Sequence, residues 1–257
     1  MKQLLNENGI QLWHGDCFEW LEKAAEKGGF KADTILTDMP YAITNHEWDK
    51  MPPLERLWKL LESISHDKTN SIMTACQPFM TDLINSNRKN FKYELIWEKT
   101  LAANFASANK LPLKRHENIA VFYKKWRVYN PQFTYKEPCF KKESSSIQHC
   151  NGNILERKPY ANPEGRRYPG TVQKFSNKNN KSVHPTQKPL ELFEWLIKSF
   201  TNENDLIIDP FVGSGTTLLA ALKTGRRAIG IELNEEYATK ALQRIKAELV
   251  NHTNTPT

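Results

Sequence analysis

Two short segments of this 257-residue chain carry residue types that could do chemistry together. The first is Asp38-Met39-Pro40-Tyr41, which follows the apolar stretch 33–37. A carboxylate, a rigid turn and an aromatic ring at a strand end suit a flat ligand, although an Asp-x-Pro turn beside a core Tyr has the same composition. The second is Asp209-Pro210-Phe211-Val212-Gly213-Ser214-Gly215-Thr216-Thr217. Its glycines let a ligand approach the backbone closely, and the helix start that follows offers free N–H groups and a partial positive charge. Glu232 lies 17 residues past Gly215, just after the apolar stretch 227–231. An acid there suits two ribose hydroxyls, so a nucleoside-containing cofactor is expected. No Lys-Ser/Thr follows the glycines, which excludes a P-loop, and the spacing is not GxGxxG.

These segments need elements to hold them. Residues 10–15 read as a strand, and 17–27 as a helix with Phe18, Leu21 and Ala25 on one face, ended by Gly28-Gly29. A short strand at 33–37 precedes the Asp38 corner. A helix at 53–65, a strand at 71–76, a helix near 78–88 and strands at 93–98 and 118–123 follow. After an aperiodic stretch from 124 to 183, the pattern resumes. It runs as a helix at 189–200, a strand at 205–209, a helix at 216–224, a strand at 227–231 and a last helix at 235–250. Alternating strands and helices predict an α/β fold with a mostly parallel sheet covered on both faces.

Charge is unevenly spread. Residues 99–188 hold 18 Lys and Arg against 5 Asp and Glu, while the rest of the chain is acidic on balance, although the whole carries +7. A basic segment on an acidic body predicts a polyanionic partner at one part of the molecule. Apolar runs fall well short of the ~20 residues that span a bilayer, and no secretory h-region is visible at the N-terminus. Membrane partners are therefore not expected. The four cysteines show no CxxC pairing, so neither a disulfide scaffold nor a metal site is expected, and a reducing cytoplasm is the expected compartment.

Taken together, the motifs resemble those of the AdoMet-dependent DNA amino-methyltransferases that act on adenine N6 or cytosine N4. DPFVGSGTT with Glu232 is similar to their AdoMet motif, and Asp38-Met39-Pro40-Tyr41 to their (D/N/S)PP(Y/F) corner, with Met39 in place of the first Pro. Gly15-Asp16 and His184-Pro185-Thr186-Gln187-Lys188-Pro189 resemble two further segments, and Lys110–Glu117 resembles one common in phage and bacterial members. The catalytic motif precedes the basic insert, which precedes the cofactor motif. That order is the circularly permuted one of the β group.

The resemblance implies a Rossmann-like methyltransferase fold, with residues 1–125 and 183–257 as the catalytic and cofactor-binding domain and 126–182 as a target-recognition insert. It implies S-adenosyl-L-methionine bound by Asp16, Thr186, Lys188, Asp209, Pro210, Phe211, Gly213, Ser214, Gly215, Thr216 and Glu232. In that assignment Asp16 lies near the adenine, and Thr186 and Lys188 meet the methionine carboxylate. Asp38, Pro40 and Tyr41 form the catalytic corner. Asp38 and a carbonyl near it accept from the target amine, and Tyr41 stacks on the flipped base. The loop 42–50, with His46 and Trp48, reads as a lid. Lys114, Arg115, His116, Arg166 and Arg167 are expected to touch double-stranded DNA. An Asp at position 38 favours adenine, with cytosine N4 and an inert DNA-binding relative as alternatives. The resemblance leaves room for a homodimer and for a cognate restriction enzyme. Pro138-Cys139, similar to the nucleophile pair of cytosine C5 enzymes, lies in the insert and is not expected to react, because amine methylation needs no thiolate.

Overall fold

The computed structural model describes residues 1–41, 50–141, 148–150, 153–155, 160–178 and 187–253. In chain order the elements begin with β1 (Lys2–Glu7), β2 (Ile10–His14), α1 (Cys17–Lys27), β3 (Ala32–Thr37), α2 (Leu54–Ser63), β4 (Ser65–Ala75), α3 (Phe79–Ser86), β5 (Phe91–Ala103) and β6 (Lys114–Phe122). Six short strands follow: β7 (Thr134–Tyr135), β8 (Cys139–Lys141), β9 (Gln148–Cys150), β10 (Asn153–Leu155), β11 (Tyr160–Asn162) and β12 (Arg166–Arg167). The chain closes with β13 (Val172–Phe175), α4 (Leu190–Phe200), β14 (Leu206–Asp209), α5 (Thr216–Lys223), β15 (Arg227–Glu232) and α6 (Glu235–Thr253).

Two compact units result, one of residues 1–130 with 171–257 and one of residues 131–170. The first is built on a nine-stranded sheet of order β1-β2-β15-β14-β3-β4-β6-β5-β13. Strands β2, β15, β14, β3 and β4 run parallel to one another. β1 and β6 run against their neighbours, and β13 lies parallel to β5 at the edge. The expected α/β fold with a mostly parallel sheet is thus present.

The central strands are apolar along their whole length because both faces are covered. Neighbouring residues point to opposite faces. Leu36, Ile72, Val121 and Ile207 pack beneath α4, α5 and α6, with Phe193, Leu196, Leu218 and Ile245. Ile35, Met73, Phe122 and Ile208 pack beneath α1, α2 and α3, with Leu21, Leu57, Leu61 and Phe79.

Several element ends are written in the sequence. Asp16 caps α1 by accepting from the Phe18 N–H at 2.7 Å, and Gly28 ends it with φ 62°. Strand β1, absent from the sequence reading, pairs with β2 through a two-residue turn at Asn8 and Gly9, both with positive φ. That Asn-Gly pair is a strong hairpin signal. The strands at 71–76, 93–98 and 118–123 prove longer at 65–75, 91–103 and 114–122, and several added residues, such as Lys68, Lys92 and Arg115, are polar and exposed.

The sheet order has one reversal that matters for function. β14 continues through α5 to β15 on one side, and β3 continues through α2 to β4 on the other. β14 and β3 are adjacent and parallel, so their carboxyl ends open a crevice at a topological switch point. Open α/β sheets bind their ligands there.

The second unit consists of antiparallel pairs. β8 pairs with β11, β9 with β10 and β7 with β12. Gly165 has φ +64° and packs so tightly on the Lys136 carbonyl that a side chain at this position would collide with it. This division falls inside the 126–182 stretch, since Val172–Phe175 returns to the first unit as β13.

Candidate active site

The switch point places the two chemical motifs side by side. Asp38 is the first residue past β3 and Asp209 is the last of β14. The Thr37 hydroxyl donates to Asp209 Oδ1 at 2.6 Å and joins the two strand ends. A cavity of about 900 Å³ opens here. Its size fits the small-molecule range of roughly 300–1,000 Å³. Asp16, Asp38, Pro40, Tyr41, Lys188, the turn from Asp209 to Ser214, Thr216 and Glu232 all line it.

On the β14 side, the turn is shaped by two left-handed glycines, Gly213 with φ 53° and Gly215 with φ 82°. A Cβ on Gly213 would meet nothing within 4 Å, so its backbone faces open space. A Cβ on Gly215 would meet the Ala241 Cβ at 3.0 Å, because α6 packs against it. The two glycines thus serve different ends, one access and one packing. Glu232 accepts from the N–H groups of Gly213 and Asn234, each at 2.8 Å, which aims its carboxylate beside the turn. Burial raises its pKa, against the pull of those N–H groups. Ser214 and Thr216 receive Arg244 from α6, which donates to the Ser214 carbonyl at 2.5 Å.

Asp209 is buried and engaged within the protein. Its oxygens accept from the hydroxyls of Thr37 and Thr217 and from the Phe211 N–H. Burial pushes its carboxyl up to about 7, with the nearby Asp38 adding to the rise and those hydrogen bonds opposing it. Its work in this state is to hold the turn.

On the corner side, Asp38 Oδ1 accepts from the Tyr41 and Thr74 hydroxyls, and Lys188 Nζ lies 2.8 Å from each Asp38 oxygen. Tyr41 stacks on Phe79 with ring centroids 5.2 Å apart. Burial and the charge of Asp38 push the Tyr41 phenol well above its ordinary value, so it stays a donor. Met39, the departure from the family pattern, is buried in the core under α1–α3. Its side chain therefore has a packing duty that leaves the residues on either side free to face the cavity.

Three contributors were not picked out by sequence reasoning: Thr74 at the end of β4, Phe79 in α3 and Lys99 in β5. A fourth, Glu117 in β6, closes the Lys110–Glu117 segment, which sequence reasoning places near the target base or the DNA backbone with no role for each residue. Glu117 lies two residues before the buried Ile119 and shares its face, so an acid in phase with a core stripe was its available signal. Among the expected DNA contacts, Lys114, Arg115 and His116 open β6, the latter two exposed. In the second unit Arg166 lies over the Phe133 ring at 4.6 Å, and Arg167 donates to the Glu137 carbonyl at 3.2 Å. Thr186 and residues 42–49 lie outside the described residues, whereas Lys50 lines the cavity. Cys17 also lines it, but burial pushes its thiol up to about 12, which leaves no reactive thiolate.

Comparison with known proteins identifies the family of this chain. A family model described as DNA methylase, of the N6/N4 type, matches residues 32–243. The Type II methyltransferase M1.MboII of Moraxella bovis is 29% identical over 251 residues, covering 88% of this chain and 92% of that protein. The putative methylase YubD of Escherichia coli K12 is 29% identical, covering 91% and 88%. The solved structure of an M1.HpyAVI–SAM complex superposes with a TM-score of 0.62 at 25% identity, covering 91% of this chain and 99% of that one. The cytosine-N4-specific PvuII DNA methyltransferase has a TM-score of 0.62 at 16% identity, which speaks to the fold. The chain belongs to the N6/N4 family of AdoMet-dependent DNA amino-methyltransferases.

Proposed function

We propose that this protein methylates adenine at N6 in duplex DNA. The observation that carries the reading is the Asp38 carboxylate, which opens into the same cavity as the glycine turn and Glu232. The residues fit AdoMet. Gly213 leaves open space at the turn, Glu232 is held in place to accept from two ribose hydroxyls, and Asp16 lines the same cavity and would meet the adenine. Bound AdoMet supplies an electrophilic methyl group.

The chain's own residues prepare the amine. An exocyclic amine on adenine is a weak nucleophile because its lone pair is delocalised into the ring. Acceptors on its two hydrogens favour a tetrahedral nitrogen and free that pair. Asp38 is one acceptor, and a carbonyl at Met39-Pro40 is the other. No covalent bond to the enzyme is needed, so the gain comes from position and electrostatics. A base in the duplex cannot reach the cavity and must be flipped out; Tyr41, braced by Phe79, replaces the lost stacking. Lys114, Arg115, His116, Arg166 and Arg167 serve the DNA, the lysine at phosphates and arginines at guanine edges.

The test is methyl transfer from isotopically labelled AdoMet to unmethylated duplex DNA, then digestion and mass spectrometry of the nucleosides. N6-methyladenine is the expected product. N4-methylcytosine alone would overturn the assigned base while keeping the corner's role.

A further inference from the structure

The buried charges around Asp38 form a chain that the reaction as described does not use. Lys188 Nζ lies 2.8 Å from both Asp38 oxygens and 3.3 Å from Glu117 Oε2. Lys99 donates to Glu117 Oε1 and itself lies over the Trp97 ring at 4.9 Å. The charges alternate in sign from Asp38 through Lys188 and Glu117 to Lys99, and the last three side chains are each at least 86% buried. Four elements or their ends supply them, so the arrangement is not a product of local sequence.

We propose that Lys188 and Glu117, backed by Lys99, are positioning residues that aim Asp38 at the target amine. An ionised carboxylate has about four lone-pair sites. Tyr41 and Thr74 take Oδ1, and among the described residues only Lys188 donates to Oδ2. One site on Oδ2 is left for the amine, and Lys188 fixes which way it points. Lys188 alone would be a poorly matched buried cation, since Asp38 must also serve the substrate. Glu117 supplies the second negative charge, and among the described residues its Oε2 has no other hydrogen-bond partner. Burial opposes the charge on Lys188, but Asp38 and Glu117 outweigh it and raise its pKa. Burial likewise opposes the charge on Glu117, but Lys188 and Lys99 outweigh it and lower its pKa. Lys188 and Glu117 thus favour each other's charged forms at the centre of the chain.

This proposal rests on the methyltransferase reading, and its test separates the two. Single-turnover methyl transfer, AdoMet affinity by calorimetry and duplex affinity are measured for wild type, Glu117→Gln, Glu117→Asp and Lys188→Met across pH. The groups facing Asp38 are Tyr41, Lys188 and Asp209; those facing Glu117 are Lys99, Lys188 and Tyr41. We expect Glu117→Gln to slow transfer about tenfold or more with both affinities within about twofold, and Glu117→Asp to recover part of the rate. Lys188→Met removes the cation nearest Asp38 and should slow transfer at saturating AdoMet and DNA by at least as much. A merely structural role would lower thermal stability without a selective loss of rate at saturation. Lys99→Met, which removes only the outer charge, gives the same readout in a milder form if Glu117→Gln does not fold. Unchanged rates, or rate and AdoMet affinity falling in parallel in Glu117→Gln, would overturn the proposal. Absence of transfer by wild type would instead overturn the methyltransferase reading, and the proposal with it.

Discussion

Among single residues, the two carboxylates of the glycine-turn side have different duties. Glu232 is poised by the Gly213 and Asn234 N–H groups and faces the cavity. Glu232→Ala should weaken AdoMet binding by about 1.5–3 kcal/mol, as for loss of a charge-assisted hydrogen bond. Unchanged affinity by calorimetry would remove it from the ribose. Asp209 is instead a buried pin between β3, β14 and α5. Its pKa is raised from 3.8 to about 7 in the folded protein. Below about 4 both folded and unfolded chains hold the proton, and stability is unaffected. Between about 4 and about 7 the unfolded chain has released its proton and the folded one has not, so stability falls as pH rises through this window. The stability of wild type relative to Asp209→Asn should therefore drop from pH 4 to pH 7. Denaturant titrations showing a gap independent of pH would refute the assignment.

Among the elements, the two glycines of the turn separate binding from packing. Both have positive φ, so alanine at either costs about 1–2 kcal/mol of backbone strain. Gly215→Ala should cost more, because its Cβ would press on Ala241 of α6. Gly213→Ala meets no protein atom, but it projects toward the cavity and should reduce AdoMet affinity more than stability. Thermal melts and AdoMet titrations of the pair check this; equal effects of both variants on both quantities would contradict it. The central strands and all six described helices were legible because their apolar period matched their final setting. The strand β1 was not, since only Leu5 on it is fully buried and its signal lay in the Asn8-Gly9 turn. Residues 131–170 were not resolved into elements either. Their strands are two or three residues long, too short for any period to show. Asp38, Tyr41 and Glu232 were visible as motif residues. Glu117 closed a motif segment without a role of its own, and Thr74 reaches the site from β4, a neighbourhood that only the sheet order reveals.

At the scale of the whole molecule, the fold is an α/β sheet whose switch point gathers the Asp38 corner from the first half of the chain and the glycine turn from the second. The permuted motif order is harmless here, because β14 and β3 are neighbours regardless of which comes first. The basic balance of residues 99–188 predicts salt-sensitive DNA binding. If Arg166 and Arg167 meet DNA, replacing both with alanine should reduce the salt slope of log affinity by about 1–2. An unchanged slope would take them out of the interface. The central claim is that Asp38 acts on the amine after both substrates are bound. It is tested most directly by single-turnover methyl transfer with wild type and Asp38→Ala, each saturated with AdoMet and duplex DNA. The account predicts AdoMet affinity within about threefold of wild type and a rate lower by about a hundredfold or more, as when a transition-state contact is removed. Transfer at the wild-type rate in Asp38→Ala would contradict it.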